Sequence, residues 1–124
     1  MVRYELFDQA ARWRAEFGSA NSPEDFAVLH SYSPYHNVRE SVDYPATMFV
    51  TGDADDRCNP AHVRKMAAVL QERMAQSRPV LVDYSAERGH AAALPLPTRI
   101  EALTRHLAFL GAELGLEPRG EVTP

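Results

Sequence analysis

The chain has 124 residues, 45% of them apolar, enough for one small domain with a real core and too few for two. Its 17 acidic and 13 basic residues give a net charge of −4, and no basic block or aromatic-interleaved stripe stands against that balance, which excludes a nucleic-acid surface. No apolar run approaches the roughly 18 residues of a membrane span, the opening Met1-Val2-Arg3-Tyr4-Glu5 has no signal-peptide pattern, and the single Cys58 leaves no internal disulfide, so the expected compartment is the cytoplasm.

Residues 1–22 carry Tyr4, Leu6, Phe7, Trp13 and Phe17 without clean periodicity; residues 12–17 read as a short helical turn that Gly18 ends. Ser22-Pro23-Glu24-Asp25 predicts a helix start, with an N-cap serine, proline at the first helical position and acids in the first turn. Phe26, Leu29 and Tyr32 would share its inner face, and Ser33-Pro34 stops it. Residues 34–45 read as a loop leading into a strand at Ala46-Thr47-Met48-Phe49-Val50. A polar turn follows, Thr51-Gly52-Asp53-Ala54-Asp55-Asp56-Arg57-Cys58-Asn59-Pro60. Val63, Met66, Ala67, Leu70 and Met74 then recur at helical spacing, predicting an amphipathic helix over 61–76. Val80-Leu81-Val82-Asp83-Tyr84 is the second strand. Residues 85–96 read as a loop, since the prolines of Leu94-Pro95-Leu96-Pro97 oppose regular structure. Thr98 with Glu101 makes a capping box for a closing helix whose apolar face is Ile100, Leu103, Leu107, Leu110 and Leu114. Gly115 suits its C-cap, and 117–124 reads as a frayed tail.

Strand, helix, strand is a βαβ unit, so the two strands should run parallel with a right-handed crossover. Both are apolar on both faces, as strands covered by helices on each side are. A two-stranded parallel sheet does not stand alone in water, and no third strand is evident. The chain therefore reads as α/β with an incomplete sheet, its other strands lying elsewhere. Self-association through the unpaired edges at 46–50 or 80–84 is expected.

The chemistry-bearing residues sit where such a sheet presents ligands, at the carboxyl ends of its strands. Asp53, Asp55, Asp56 and Arg57 crowd the turn after the first strand, and Glu87-Arg88-Gly89-His90 follows the second. An acid after one strand and a histidine after the next is the Asp…His order that closes an α/β-hydrolase triad. Asp55 would accept a hydrogen bond from the histidine Nδ1–H and His90 would act as general base and acid; the plainer alternatives are a solvated turn acid and an exposed loop histidine. Asp53 and Asp56 suit turn hydrogen bonds and the helix dipole. Arg57 either pairs with Asp55 or Asp56 or binds substrate. Cys58 follows the acid, on the wrong strand for a nucleophile. His30, His36, His62 and His106 lack metal-ligand spacing, so neither a metal nor a cofactor is expected.

Three stretches carry a family resemblance: Tyr32-Ser33-Pro34-Tyr35-His36-Asn37-Val38, Asp55-Asp56-Arg57, and Gly89-His90. Over residues 1–116 the chain resembles the C-terminal part of the catalytic domain in the prolyl oligopeptidase family of serine peptidases, within the α/β-hydrolase superfamily. That resemblance implies the last two parallel strands of the fold with their flanking helices, from an enzyme that cleaves short peptides after proline beneath a β-propeller. It also implies roles: Asp55 and His90 as triad acid and base, Arg57 on a substrate carbonyl oxygen, and Trp13 stacked on the substrate proline. Phe17 and Cys58 would line the same pocket. Ala91-Ala92-Ala93 departs from the glycine that often follows the family's histidine. The larger departure is the nucleophile. None of the seven serines lies in Gly-x-Ser-x-Gly; Ser19, next to Gly18, has Phe17 and Asn21 where elbow glycines belong. The expectation is an acid–base portion that is inactive alone. The alternative is a non-catalytic remnant or an interaction half-domain that dimerises or docks onto a partner.

Overall fold

The computed structural model of the chain describes residues 1–7, 9–90 and 94–116; the readings of residues 91–93 and of a frayed 117–124 lie outside them. Two 3-10 turns, Tyr4–Leu6 and Ala10–Trp13, lead into helix α1 (Arg14–Phe17). Gly18 ends it at φ +80°, and a Cβ there would come within 2.6 Å of the Asp25 side chain, so both conformation and space require glycine. Helix α2 (Pro23–Ser31) starts as its sequence predicts, with Ser22 Oγ accepting from the Asp25 amide at 3.3 Å. Its inner face is narrower than expected. Leu29 is fully buried, whereas Phe26 and Tyr32 are 42% and 46% exposed. Tyr32 falls past the last helical residue, where helical spacing no longer places it, and the Phe26 ring stacks on His30 one turn on instead. Pro34–Asn37 closes into a 3-10 turn where loop was expected, and the Asn37 side-chain Nδ2 donates to the carbonyls of Ser33 and His30.

Strand β1 (Thr47–Gly52) extends beyond its apolar run, since Thr51 and Gly52 still pair with Tyr84 and Ser85. Helix α3 (Ala61–Gln71) stops short of Gln76, and Met74 is fully exposed. The Gln76 side chain bonds the amide and carbonyl of Tyr44 at 3.0 and 3.1 Å, which fastens the approach to β1 to the approach to the second strand. That strand, β2 (Val80–Ser85), lies parallel to β1 with Thr47 opposite Val80 and Gly52 opposite Ser85. Among the described residues these two make up the sheet. Helix α4 (Leu96–Glu113) begins before Thr98, with Pro95 as N-cap and Pro97 in the first turn. The missing proline N–H is one that no helix end can satisfy internally, so these prolines start the helix rather than forbid it. Thr98 consequently lies inside α4 and the expected capping box does not form. Gly115, at φ +65°, donates to Ala112 and Leu116 donates to Gly111, a Schellman C-cap.

The chain divides into two compact units, Met1–Ala92 and Ala93–Pro124. In the first, α3 covers the sheet: Ala67, Leu70 and Val80 are buried together, with Val38, Tyr44, Phe49 and Met66 packed around them. Much of the strands' apolar surface stays open, Val50, Leu81 and Val82 being 38–45% exposed. In the second unit, Ile100, Leu103, Leu107 and Leu110 of α4 and its C-cap Leu114 are 50–68% exposed. Among the described residues no helix is long and apolar enough to cross a membrane.

Candidate active site

Because β1 and β2 are parallel and end level, the loops leaving them emerge side by side. The Asp53 amide donates to the Ser85 carbonyl at 3.2 Å, and the Asp55 amide donates back to Gly52 at 3.2 Å. That turn aims the Asp55 side chain at its own loop, where Oδ1 accepts from the amides of Cys58 at 2.8 Å and Arg57 at 3.1 Å. Its carboxylate also meets His90, with Nδ1 3.2 Å from Oδ1 and 3.3 Å from Oδ2. The two side chains are 12% and 37% exposed. Burial by itself would raise the Asp55 pKa, but the amides of Cys58 and Arg57, then the hydrogen bond and charge of His90, hold it below the usual aspartate range. An ionised carboxylate only accepts hydrogen bonds, so it fixes the His90 proton on Nδ1 and leaves Nε2 with its lone pair. The arrangement can take up a proton at Nε2 and stabilise the imidazolium that results.

Two features of the loop that carries His90 were not legible in the sequence. A Cβ on Gly52 would stand 2.3 Å from the Arg88 carbonyl oxygen and 2.5 Å from that of Ser85, so the histidine loop lies directly on the glycine backbone. The Arg88 guanidinium reaches back to Asp83 Oδ2, both terminal nitrogens at 3.2 Å, and its side chain and that of Asp83 are 11% and 7% exposed. A charge inside the apolar run of β2, five residues before an arginine, was the available signal.

Arg57 makes no ion pair with Asp55 or Asp56 among the described residues; it instead lines an open groove of about 360 Å³ with Gln9, Ala10, Arg12 and Trp13. Sequence-distant Trp13 and Arg57 thus share one surface. Phe17 lies beside it, its ring 6.2 Å from that of Trp13 and edge-on to Tyr4 at 5.9 Å. Cys58 is a free, exposed thiol that reaches Asp55 through its backbone amide, and the residues lining the groove do not include it. Glu5, a further residue missed in the sequence, anchors the segment bearing Trp13: it accepts from Arg14, from Ser19 Oγ at 2.8 Å and from the Ala20 amide at 2.9 Å. The Asp53 side chain pairs with Arg64 at 2.7 Å, an ion pair not foreseen beside the turn and helix-dipole roles expected of it. Among the other histidines, His36 bonds Ser33 Oγ at 2.8 Å and His62 packs its ring 4.5 Å from Phe7. No group of three His, Cys, Asp or Glu side chains that could hold a metal occurs among the described residues. Nor does any serine hydroxyl among them bond to His90.

Comparison with known proteins identifies the family and the fold. A family model described as "Prolyl oligopeptidase family" matches residues 1–117. The chain is 39% identical over 118 residues to a prolyl endopeptidase of Elizabethkingia miricola, covering 94% of this chain and 17% of that protein. It is 38% identical over 95 residues to a prolyl endopeptidase of Dictyostelium discoideum, covering 74% of this chain and 12% of that protein. A structure from a study of two prolyl endopeptidases superposes with a TM-score of 0.88 at 40% identity, covering 94% of this chain and 17% of its own. Prolyl oligopeptidase B of Galerina marginata, solved with a 35mer hydrolysis and macrocyclization substrate, gives a TM-score of 0.86 at 29% identity, with 95% of this chain and 17% of that one covered. The chain therefore spans less than a fifth of the length of these proteins.

Proposed function

Because the chain belongs to the prolyl oligopeptidase family, we propose that it supplies the acid, the base and part of the substrate pocket of a serine peptidase that cleaves short peptides after proline, with the nucleophilic serine contributed from outside these 124 residues. The observation that carries this reading is the Asp55–His90 contact at 3.2–3.3 Å across the level ends of two parallel strands. In it, His90 Nε2 removes the proton from the incoming serine hydroxyl as that oxygen attacks the carbonyl carbon. The same imidazole then protonates the leaving amine, and Asp55 stabilises the imidazolium between the two steps. Arg57 donates to a substrate carbonyl from the rim of the groove, and the exposed face of Trp13 receives the pyrrolidine ring. Phe17 supports the indole. Cys58 is the weakest member of the set, lying outside the groove lining.

The exposed apolar residues of β1, β2 and α4 also favour association in its own right, which is the observation behind the second reading, a half-domain that dimerises or docks without catalysis. One experiment separates the two. The chain is mixed with the serine-bearing remainder of a prolyl endopeptidase and assayed on a chromogenic prolyl peptide. Activity that appears on mixing and falls by about 10⁴-fold with Asp55→Asn, and comparably with His90→Ala, supports the peptidase reading. A stable complex without turnover, or turnover indifferent to both substitutions, rejects it in favour of docking.

A further inference from the structure

We infer that the buried Asp83–Arg88 ion pair is a positioning device for His90, holding the loop after β2 so that the imidazole meets Asp55; this inference rests on the acid–base reading of those two residues. The imidazole is 37% exposed, and Asp55 is its hydrogen-bond partner, so its orientation must come largely from the backbone that carries it. That backbone is short. Only Glu87 to Gly89 lie between the residue after Ser85 and His90, and Arg88 stands two positions before the imidazole. Arg88 is held from both sides: its guanidinium fork grips Asp83 Oδ2 and, at 3.4 Å, the Asp83 carbonyl, while its own carbonyl and Cβ rest over Gly52.

A purely stabilising pair is a poor explanation for this arrangement. Removing two charges from water is costly, and a well-packed apolar pair of similar size generally serves stability as well or better. What a fork on a fixed carboxylate adds is direction. It ties the loop to a residue in the middle of the β2 ladder, whose register with β1 is fixed by Val50 opposite Asp83. Since β1 also leads to Asp55, the pair places acid and base in one frame. Displacing Arg88 would let His90 swing away from a contact that tolerates little movement.

The test reads the His90 tautomer, which a structural role alone would not control. The 124-residue chain labelled with ¹⁵N-histidine is studied by NMR at alkaline pH, where the ring nitrogen shifts distinguish the Nδ1–H form from the Nε2–H form that free histidine favours. Wild type should be mainly Nδ1–H, and Asp55→Asn should abolish that preference. Arg88→Lys, which keeps the charge but loses the fork, should lower the Nδ1–H population, and Asp83→Leu with Arg88→Met should lower it further while retaining the wild-type thermal midpoint. In the completed enzyme the double variant should lose about 100-fold in kcat with KM little changed, as misplaced catalytic groups do. A double variant that is as stable as wild type and keeps both its tautomer and its kcat would overturn the inference, as would an Arg88→Lys chain indistinguishable from wild type. If Asp55→Asn leaves the tautomer unchanged, the Asp55–His90 pairing itself fails and the clamp falls with it. A normal tautomer response in a complex that never turns over rejects the peptidase reading and leaves the clamp standing.

Discussion

At the scale of single residues, Asp55 is where solvent, loop and histidine compete. Its net pKa is depressed despite burial, because two backbone amides and His90 favour the charged carboxylate more than desolvation disfavours it. The unfolded chain binds a proton there more readily than the folded one. Its contribution to stability is therefore fully present above the ordinary aspartate pKa and is lost as pH falls through the lower folded value. Urea unfolding of wild type and Asp55→Asn should accordingly differ most near neutrality and converge under strong acid; a constant gap at every pH would show that ionisation of Asp55 does not contribute. This residue was legible in the sequence because an acid–acid–arginine turn after an apolar strand is an uncommon burden for a small sheet. Gly52, Asp83 and Arg88 were not. Their importance arises from a close approach that would leave a Cβ on Gly52 only 2.3 Å from the Arg88 carbonyl oxygen, and from a buried guanidinium, and neither leaves a periodic trace.

Elements were read well where side-chain periodicity governs them and poorly where their ends depend on main-chain hydrogen bonding. Strand pairing and the Gly18 and Gly115 caps follow from composition, whereas α3 ends at Gln71, where the Glu72 amide donates to the Ala68 carbonyl, and Gln76 beyond it bonds Tyr44. At the start of α4 the prolines were mistaken for breakers because their place relative to the first turn decides which they are. Two predictions belong here. Gly52→Ala, at the end of β1, should push the Arg88 backbone off the strand, costing about 1–3 kcal/mol of stability. In the completed enzyme it should also lower kcat by on the order of 100-fold. Urea titration and turnover check the two arms, and wild-type values in both would mean that the histidine loop does not rest on this glycine. Trp13, at the end of the second 3-10 turn, should lose about 10- to 100-fold in kcat/KM for a prolyl substrate when changed to alanine. An unchanged kcat/KM would remove Trp13 from the pocket.

For the whole molecule, the governing fact is a sheet of two strands with Val50, Leu81 and Val82 substantially exposed, in a chain spanning less than a fifth of its relatives' length. The sequence announced that deficit through two doubly apolar strands and no third. We expect the purified chain to associate with itself, and sedimentation over a range of concentrations checks this; a monomer throughout would show that the open edges are protected. We further expect no labelling by a fluorophosphonate probe, because an acid and base with no activated hydroxyl form no covalent adduct. In-gel fluorescence at a serine of the isolated chain would contradict that.

The parallel crossover has one more consequence, in polymer terms. Asp55 and His90 are 35 positions apart, and a single strand–helix–strand passage closes that loop. Closure entropy grows only slowly with length, so bringing these ends together is a modest local event that needs no distant part of the chain. The acid–base pair therefore draws its geometry from a single βαβ crossover, even though that unit needs further partners to be stable. In the reading proposed above, the proton relay is then the short-range product of one crossover, and the catalytic centre is complete only when a serine-bearing surface meets it.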